Sequence, residues 1–175
     1  MAFLASNSCH RKWNPLPCGY YGDVKRQCRC SPRQIETYRQ RISGPLLDRI
    51  DIHCEVPLVD FRELSSNTNT CESSETIRQR VIAARGVQLE RFKKSSNSTN
   101  SSMGSRQVRQ HCQLSGESNG YLEHAMEEMN FSARAHDRIL KVARTLADLA
   151  GSMDIRPNDI LEAIQYRSLD RKLFS

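Results

Sequence analysis

The most regular hydrophobic pattern of the chain lies in SARAHDRILKVARTLADLAG, in its last third. Apolar residues recur there at spacings of three and four, which is the period of an amphipathic helix. Ser132 is placed to cap this helix at its start, and Gly151 is placed to end it. The predicted apolar face consists of Ile139, Leu140, Val142, Ala143, Leu146 and Ala147.

Further helices are predicted on both sides of this one. PNDILEAIQYRSLDR begins with Pro157 at a first helical position, and SRQVRQHC and NGYLEHAMEEM each indicate a shorter helix. SETIRQRVIAARGVQLERFKK is also helical by period, with Gly86 as a weak point. Its apolar positions are Ile77, Val81, Ile82, Leu89 and Phe92. The segment SSNSTNSSMGS that follows has the composition of a flexible loop.

The first third of the chain has a different pattern. Ser31, Pro32 and Gln34 form a capping-box signature, which predicts a helix from about Pro32 to Ile42. IDIHCEV then alternates apolar and polar residues, which is the period of a strand with one buried face. One strand cannot satisfy its own backbone, so its partners must come from the weakly patterned first residues or from strands that this chain lacks.

Residues 65–74, SSNTNTCESS, are polar and rich in turn formers, which predicts a linker. The predicted organisation is a small α/β piece, this linker and an all-helical bundle. At 175 residues and 38% hydrophobic content, the chain can bury one modest core or two small ones.

Charge and cysteine usage narrow the function classes only slightly. Lys and Arg exceed Asp and Glu by 26 to 20, and this net charge of +6 permits attraction to nucleic acid, nucleotides or acidic partners without requiring any of them. The seven scattered cysteines are not spaced like a secreted disulfide framework. The apolar patch at the start is too short for an export signal or a membrane span, so we expect a reduced, cytoplasmic protein with no membrane partner.

NPLPCGYYGDVKRQCRC raises the question of a metal site. Zinc sites use four thiolate or imidazole ligands at short paired spacings. Cys28 and Cys30 form one tight pair, but the upstream arm offers only Cys18, so a fourth ligand would have to be Cys9, His10 or a residue outside the loop. Zinc at Cys18, Cys28 and Cys30 is therefore possible, but a surface loop with free thiols is favoured. A catalytic thiol is weaker still, because the loop supplies no base.

Two arginines are candidates for phosphate chemistry. Arg49, in ISGPLLDRIDI, lies between a helix and a strand, where a break in the backbone can expose it. Arginine stabilises charge on a transferring phosphoryl group, often from a neighbouring subunit. A salt bridge to Asp48 or Asp51 is the alternative, and spacing alone favours it. Arg134, near the start of the long helix, either binds phosphate with the helix N-terminus or covers the bundle surface.

Several catalytic motifs are absent from the sequence. It contains no G-x-x-x-x-G-K-[ST] phosphate loop and no apolar strand ending in paired acidic residues for magnesium. It also has no H-E-x-x-H motif, G-x-S-x-G elbow or Rossmann glycine fingerprint. A nucleotide-linked role for the arginines would therefore need parts that are not found in these residues.

The segments NPLPCGYYGD, CRCSPRQIETYRQRISGPLLDRIDIHCEVP and SARAHDRILKVARTLADLAGSMDIRPNDILEAIQYRSLDR closely resemble the C-terminal part of magnesium-chelatase-like AAA+ ATPases of the YifB and competence protein ComM group. The resemblance implies an α/β remnant of an AAA+ core followed by an all-α helical lid bundle, predominantly helical overall. The implied divisions are an unmatched segment 1–13, the end of the AAA+ core at 14–64, the linker 65–74 and the lid 75–175.

The resemblance also implies roles for individual residues. Asn14 matches the sensor-1 asparagine, which orients the attacking water near the γ-phosphate. Arg49 in GPLLDRID matches the arginine finger presented to the neighbouring subunit's nucleotide. Arg134 in SARAHDR is similar to the sensor-2 arginine of the lid, so the implied catalytic residues are Asn14, Arg49 and Arg134, and Arg134 also contacts the nucleotide. Many relatives read C-P-C where this chain has LPC, so Leu16 replaces the first of four cysteines, which argues against zinc.

The family forms hexameric rings that use ATP and Mg²⁺, and its ComM-like members are DNA helicases that promote branch migration in natural transformation. Its Walker A and B segments would precede Asn14, where this chain has only MAFLASNSCHRKW. We therefore expect a truncated or disrupted copy that cannot bind or hydrolyse ATP alone. The alternatives are a non-enzymatic module that docks on a full-length relative and modulates it, and a small basic DNA-binding protein.

Overall fold

The structure is a computed structural model that describes residues 17–20, 26–40, 50–54, 72–93 and 99–167. The chain divides into two compact units, Met1–Ser43 and Gly44–Leu173. The described residues form six α-helices: α1 (Pro32–Arg39), α2 (Ser74–Arg91), α3 (Ser105–His111), α4 (Gly116–Glu128), α5 (Ala133–Leu149) and α6 (Pro157–Gln165). A short 3-10 helix, Asn100–Ser102, lies between α2 and α3. The predominantly helical fold is therefore confirmed.

The first unit contains α1, which begins as its sequence predicts. The Gln34 amide N–H donates to Ser31 Oγ at 3.3 Å, and the Ser31 N–H donates to Gln34 Oε1 at 2.9 Å. This reciprocal pair is the capping box, with Pro32 in the first turn. The helix ends at Arg39 among the described residues, and its predicted end at Ile42 lies outside them.

The second unit contains a bundle of helices α2–α6, which we call the helical bundle. Its centre is α5, which packs against α2, α3, α6 and the 3-10 helix, while α4 packs against α6. The core of the bundle is one apolar cluster: Phe92, Met103, Val108, Cys112, Leu122, Ala125, Ile139, Leu140, Ala143, Ala147, Ile155, Ile160, Ala163 and Ile164. Burial of this surface is the main force that holds the helices together.

The predicted face of α5 is confirmed in its centre. Ile139, Leu140, Ala143 and Ala147 are buried, and Val142 and Leu146 pack at the edge of the cluster. At the start of the helix, the Ala135 N–H donates to Ser132 Oγ at 3.2 Å, so the predicted cap is confirmed as well.

The end of α5 is a Schellman motif. The Ser152 N–H donates to the Ala147 carbonyl at 2.9 Å, and the Gly151 N–H donates to the Asp148 carbonyl at 3.1 Å. Gly151 has φ of +68°, a left-handed conformation that costs a residue with a Cβ about 1–2 kcal/mol.

This geometry predicts opposite effects for two glycine substitutions. Gly151→Ala lowers the free energy of unfolding by about 1 kcal/mol, because the backbone must keep the left-handed conformation. Gly120→Ala raises it by about 0.5–1 kcal/mol, because Gly120 lies inside α4 and a Cβ there meets no atom within 4 Å. Urea denaturation followed by circular dichroism measures both changes, and a loss of stability in Gly120→Ala would contradict the helical assignment.

Two expectations for the second unit are wrong. Residues 50–54 form no strand, and Ile52, predicted to be buried, is 48% exposed. The backbone of this segment bonds instead to the end of the helical bundle, where the His53 N–H donates to the Tyr166 carbonyl at 2.8 Å. Within the described residues there is no strand for it to pair with, and the single β-bridge joins Leu114 to Ile155.

In α2, three of the five apolar positions that give the helical period lie in solvent: Ile77, Ile82 and Leu89 are exposed, whereas Ala84, Gln88 and Phe92 are buried. The second correction concerns the loop after α2. In the described residues 99–105 of SSNSTNSSMGS, Asn100 and Met103 are buried, so this part is not the flexible loop that its composition predicts. Gly86 does not interrupt α2. Most of the predicted linker lies outside the described residues, and its last residue, Ser74, begins α2.

None of the helices found in the described residues is long and apolar enough to cross a membrane.

Candidate functional site

Arg134 is the predicted phosphate-binding residue that the structure describes. It is exposed and occupies the second position of α5, directly after the cap at Ser132 and the first helical residue, Ala133. Among the described residues, no ion pair or side-chain hydrogen bond involves it. A cation at this end of a helix opposes the helix dipole, at a cost of about 0.3–1 kcal/mol. An anion bound at the same terminus would offset this cost.

The other two predicted catalytic residues, Asn14 and Arg49, lie outside the described residues. The residue that follows Arg49 is described, however, and it is held by the end of the helical bundle. Arg167 Nη1 donates to the Ile50 carbonyl at 2.8 Å, and Arg167 is only 1% exposed. The next residue, Asp51, forms an ion pair with Arg138 of α5.

Arg167 also contacts the residue that leads into α5. Its guanidinium carbon lies 6.0 Å from the centre of the Phe131 ring, within the range of a cation–π contact. Phe131 immediately precedes the Ser132 cap, so a single buried arginine joins the backbone after Arg49 to the start of the helix that carries Arg134. Sequence reasoning missed Arg167, since nothing in QYRSLDR distinguishes a buried arginine from a solvated one.

A buried ionic network fixes the other end of α5. Arg91 of α2 donates to both carboxylate oxygens of Asp148, at 2.7 and 2.6 Å. Asn100 Nδ2 donates to Asp148 Oδ2 at 2.8 Å, and Arg144 Nε donates to Oδ1 at 3.0 Å. The Asp148 side chain is fully buried. Two arginines and an amide thus satisfy one buried carboxylate, which is the condition for such a group to be tolerated in a core.

The same network holds the turn after α5. Arg144 donates to the carbonyls of Ser152 and Met153, each at 2.7 Å. Burial alone raises the pKa of Asp148, but hydrogen bonds from Arg91 and Asn100, with the positive charge of Arg144, outweigh it and hold this pKa below its ordinary value. Every member thus has a structural partner, so the network positions helices and is not a binding site.

The three predicted metal ligands of the first unit lie together. Cys18 Sγ and Cys28 Sγ are 3.5 Å apart, and the three sulfur atoms of Cys18, Cys28 and Cys30 all lie within 4.8 Å of one another. None of the three is in a disulfide. Within the described residues this is the one group of three or more His, Cys, Asp or Glu side chains close enough to hold a metal ion.

Hydrogen bonds to sulfur distinguish Cys18 from Cys30. A hydrogen bond from the backbone of Tyr20 lowers the pKa of Cys18, whereas sharing a hydrogen bond with Cys18 raises the pKa of Cys30 to about 11. Of these two thiols, Cys18 therefore ionises at the lower pH. An open concavity of roughly 600 Å³ borders the cluster, and its lining includes Cys18, Cys30, Arg33 and Tyr38.

Comparison with known proteins gives matches over almost the whole chain. Residues 71–167 match the sequence model of the family described as magnesium chelatase, subunit ChlI C-terminal, and residues 1–64 match that of magnesium chelatase, subunit ChlI. The second match includes residues 1–13, which the motifs alone left unmatched.

Individual relatives agree with these matches. Over 160 residues, or 91% of this chain, the sequence is 38% identical to the competence protein ComM of Haemophilus influenzae. Over the same share it is 42% identical to the YifB protein of Escherichia coli and 39% identical to that of Salmonella typhimurium. In each case the matched region is 30% of the relative's own length, so the chain corresponds to less than a third of these proteins.

Proposed function

Because the chain belongs to the magnesium chelatase subunit ChlI family, we propose that it forms the lid end of an ATP-driven AAA+ ring of the ComM and YifB kind. In this role the helical bundle is the lid, Arg134 contacts the nucleotide phosphates as the sensor-2 arginine, and Arg49 is the finger for the neighbouring subunit. Asn14 is the sensor-1 residue. The nucleotide is held by a Walker A segment outside these 175 residues.

The observation that carries this proposal is the position of Arg134. It is an exposed arginine at the N-terminal end of α5, where the helix dipole is positive, and both features attract a phosphate. Phosphoryl transfer is accelerated mainly by positioning and by stabilising charge on the phosphate oxygens. An arginine fixed at a helix N-terminus can do both.

Contacts around Arg167 support a joint role for Arg49 and Arg134. The bonds from Arg167 to Ile50 and from Arg138 to Asp51 tie the residues after Arg49 to the frame that carries Arg134. If Arg49 and Arg134 move together, one subunit of the ring responds both to its own nucleotide and to the nucleotide of the neighbouring subunit. ATP hydrolysis in one subunit can then change the geometry of its neighbour.

The residues of the chain fit ATP only in part. Arg134 and the start of α5 suit a phosphate, but the described residues offer no cluster of carboxylates for Mg²⁺. The proposal therefore assigns Mg²⁺ and the rest of the nucleotide site to the segments that carry Walker A and B. DNA is the proposed substrate of the assembled ring, and the net charge of +6 is compatible with it.

A second candidate, docking on a full-length relative, is favoured by one observation. The apolar side chains of Ile82 and Leu89, 60% and 54% exposed, lie seven residues apart on one side of α2. Two turns of a helix separate them, so they form a short apolar stripe that a partner could cover.

A domain exchange tests the proposed function. In one variant of the H. influenzae ComM protein, the 160-residue region that matches this chain is deleted, and in a second variant it is replaced by this chain. Steady-state ATP hydrolysis is measured for both, with the intact ComM protein as reference. The exchanged protein is expected to recover ATP turnover that the deletion lacks. No recovery in an exchanged protein that is folded and forms rings would contradict the lid role.

Addition of the 175-residue chain in trans separates the two candidates. Docking predicts co-elution with the full-length relative and a changed ATPase rate, and Leu89→Asp should weaken both. The lid role predicts that Leu89→Asp leaves the domain-exchanged protein active. Exposed Gln79→Asp, on the same helix, is the matched charge control.

A further inference from the structure

We propose that Cys18, Cys28 and Cys30 bind one Zn²⁺ ion through three thiolates, with a water molecule in the fourth coordination position. The site lies in the first unit and does not depend on the lid role of the helical bundle. It is a separate property of the loop that precedes α1.

The spacing of the sulfur atoms fits this coordination. In a tetrahedral site with Zn–S bonds of about 2.3 Å, ligand sulfurs are about 3.8 Å apart. Cys18 Sγ and Cys28 Sγ are separated by 3.5 Å, and no pair in the cluster exceeds 4.8 Å. Side-chain rotation of a few tenths of an ångström to about 1 Å would therefore close all three ligands around one ion.

The backbone around the cluster is shaped to present sulfur. Gly19 has φ of +74°, so the chain turns directly after Cys18. On the other arm, the Cys30 N–H donates to Cys28 Sγ at 3.4 Å. Such N–H donors spread the negative charge of metal-bound thiolates and orient them.

Neighbouring residues make both arms rigid. Cys30 directly precedes the Ser31 cap, so the capping box of α1 fixes its position. Arg26 Nη1 donates to Tyr20 Oη at 3.1 Å and lies over the Tyr20 ring, which joins the two arms. A zinc ion with three thiolates carries a net charge of −1, and Arg33, which lines the same concavity as Cys18 and Cys30, offers a positive charge to offset it.

The donor set selects the metal and its coordination. Thiolates favour Zn²⁺ or Cu⁺ over Mg²⁺ and Ca²⁺, which prefer oxygen ligands. Because the concavity of roughly 600 Å³ opens beside Cys18 and Cys30, solvent can reach the fourth position. A site with three protein ligands and one water differs from a closed structural site with four.

The first test uses the complete 175-residue chain without substitutions. After reduction and removal of metal with a chelator, the chain is titrated with Zn²⁺ and the thiols are then alkylated and mapped by mass spectrometry. We expect one equivalent of Zn²⁺ to bind and to protect Cys18, Cys28 and Cys30, while exposed Cys54 stays reactive. Equal alkylation of all four thiols with and without Zn²⁺, or a Cys18–Cys28 disulfide formed in preference to metal binding, would overturn the proposal.

Spectroscopy and variants then define the ligands. X-ray absorption is expected to give three sulfur neighbours at about 2.3 Å and one oxygen. Cys28→Ser should lose stoichiometric Zn²⁺ binding, whereas Cys28→His should keep it because imidazole is also a zinc ligand. Cys54→Ser should bind Zn²⁺ as the unsubstituted chain does. These two controls distinguish the loss of a ligand from a loss of folding. Retention of Zn²⁺ by Cys28→Ser, or its loss in a Cys9→Ser, His10→Ala double variant, would contradict three-thiolate coordination with water.

Discussion

Asp148→Ala is expected to lower the free energy of unfolding of the second unit by about 3–5 kcal/mol, because it leaves buried cations without their anion. Arg144 lies within the core and Arg91 at its margin, and both donate to this carboxylate. Arg144 would keep its bonds to Ser152 and Met153, but the link between α2 and α5 would be lost. Urea denaturation followed by far-UV circular dichroism measures the change.

Asp154→Ala is the matched control, because Asp154 is exposed in the turn after α5. Its effect is expected to stay within about 0.5 kcal/mol of the unsubstituted chain, as for most surface substitutions. A loss below about 1 kcal/mol for Asp148→Ala would show that the network contributes little to the packing of α2 on α5.

The network also makes the second unit sensitive to acid. The pKa of Asp148 is lower in the folded chain than in the unfolded chain. Its stabilising effect is therefore complete above about pH 4, the ordinary range for aspartate, and is lost as the pH falls through the lower folded-state pKa. Asp148→Asn, which does not titrate, should lose less stability than the unsubstituted chain over that fall in pH.

Local patterns in the sequence are sufficient to predict the helices that carry the site. The apolar period of α5, the Ser132 cap and the Gly151 stop depend on neighbours within a few residues, and all three predictions are confirmed. The same holds for the capping box of α1. The three quoted segments likewise predict the family resemblance, which the matches to both family models confirm.

Features that depend on distant residues could not be predicted in this way. Alternation in IDIHCEV indicates a strand, but residues 50–54 bond to Tyr166 and Arg167 at the far end of the chain. Asn100 belongs to a polar stretch typical of a loop, yet it is buried because Asp148 and Thr145 accept its amide hydrogens. In α2, which packs against α5, Ala84 and Gln88 are buried although the larger apolar side chains of Ile82 and Leu89 are exposed.

The candidate site likewise combines features that local sequence predicts with features that depend on tertiary structure. Arg134 at the start of α5 follows from the helix boundary, whereas the link through Arg167 requires tertiary structure. The cysteine spacing argued against a metal site because only one ligand lies on the upstream arm. The turn at Gly19 nevertheless brings that single ligand against the Cys28 and Cys30 pair.

Arg134→Ala in the domain-exchanged ATPase is expected to reduce steady-state ATP hydrolysis about 10- to 100-fold. A hydrogen bond to a charged group contributes about 1.5–3 kcal/mol, and each 1.4 kcal/mol corresponds to a factor of ten in rate. Arg134→Lys should recover part of the rate, because it keeps the charge but not the planar fork of donors.

Arg106→Ala is the matched control. Arg106 is also an exposed arginine at the second position of a helix, α3, so both substitutions relieve the same unfavourable interaction with a helix dipole. Thermal unfolding of the two variants should therefore be alike, which confines any difference in activity to phosphate binding.

The steady-state ATPase rate of the Arg134→Ala and Arg106→Ala proteins, measured side by side at saturating ATP, is the most direct test of the lid role. The expected result is a loss of about 10- to 100-fold for Arg134→Ala and an unchanged rate for Arg106→Ala. Equal rates in the two variants would contradict the assignment of Arg134 to the nucleotide.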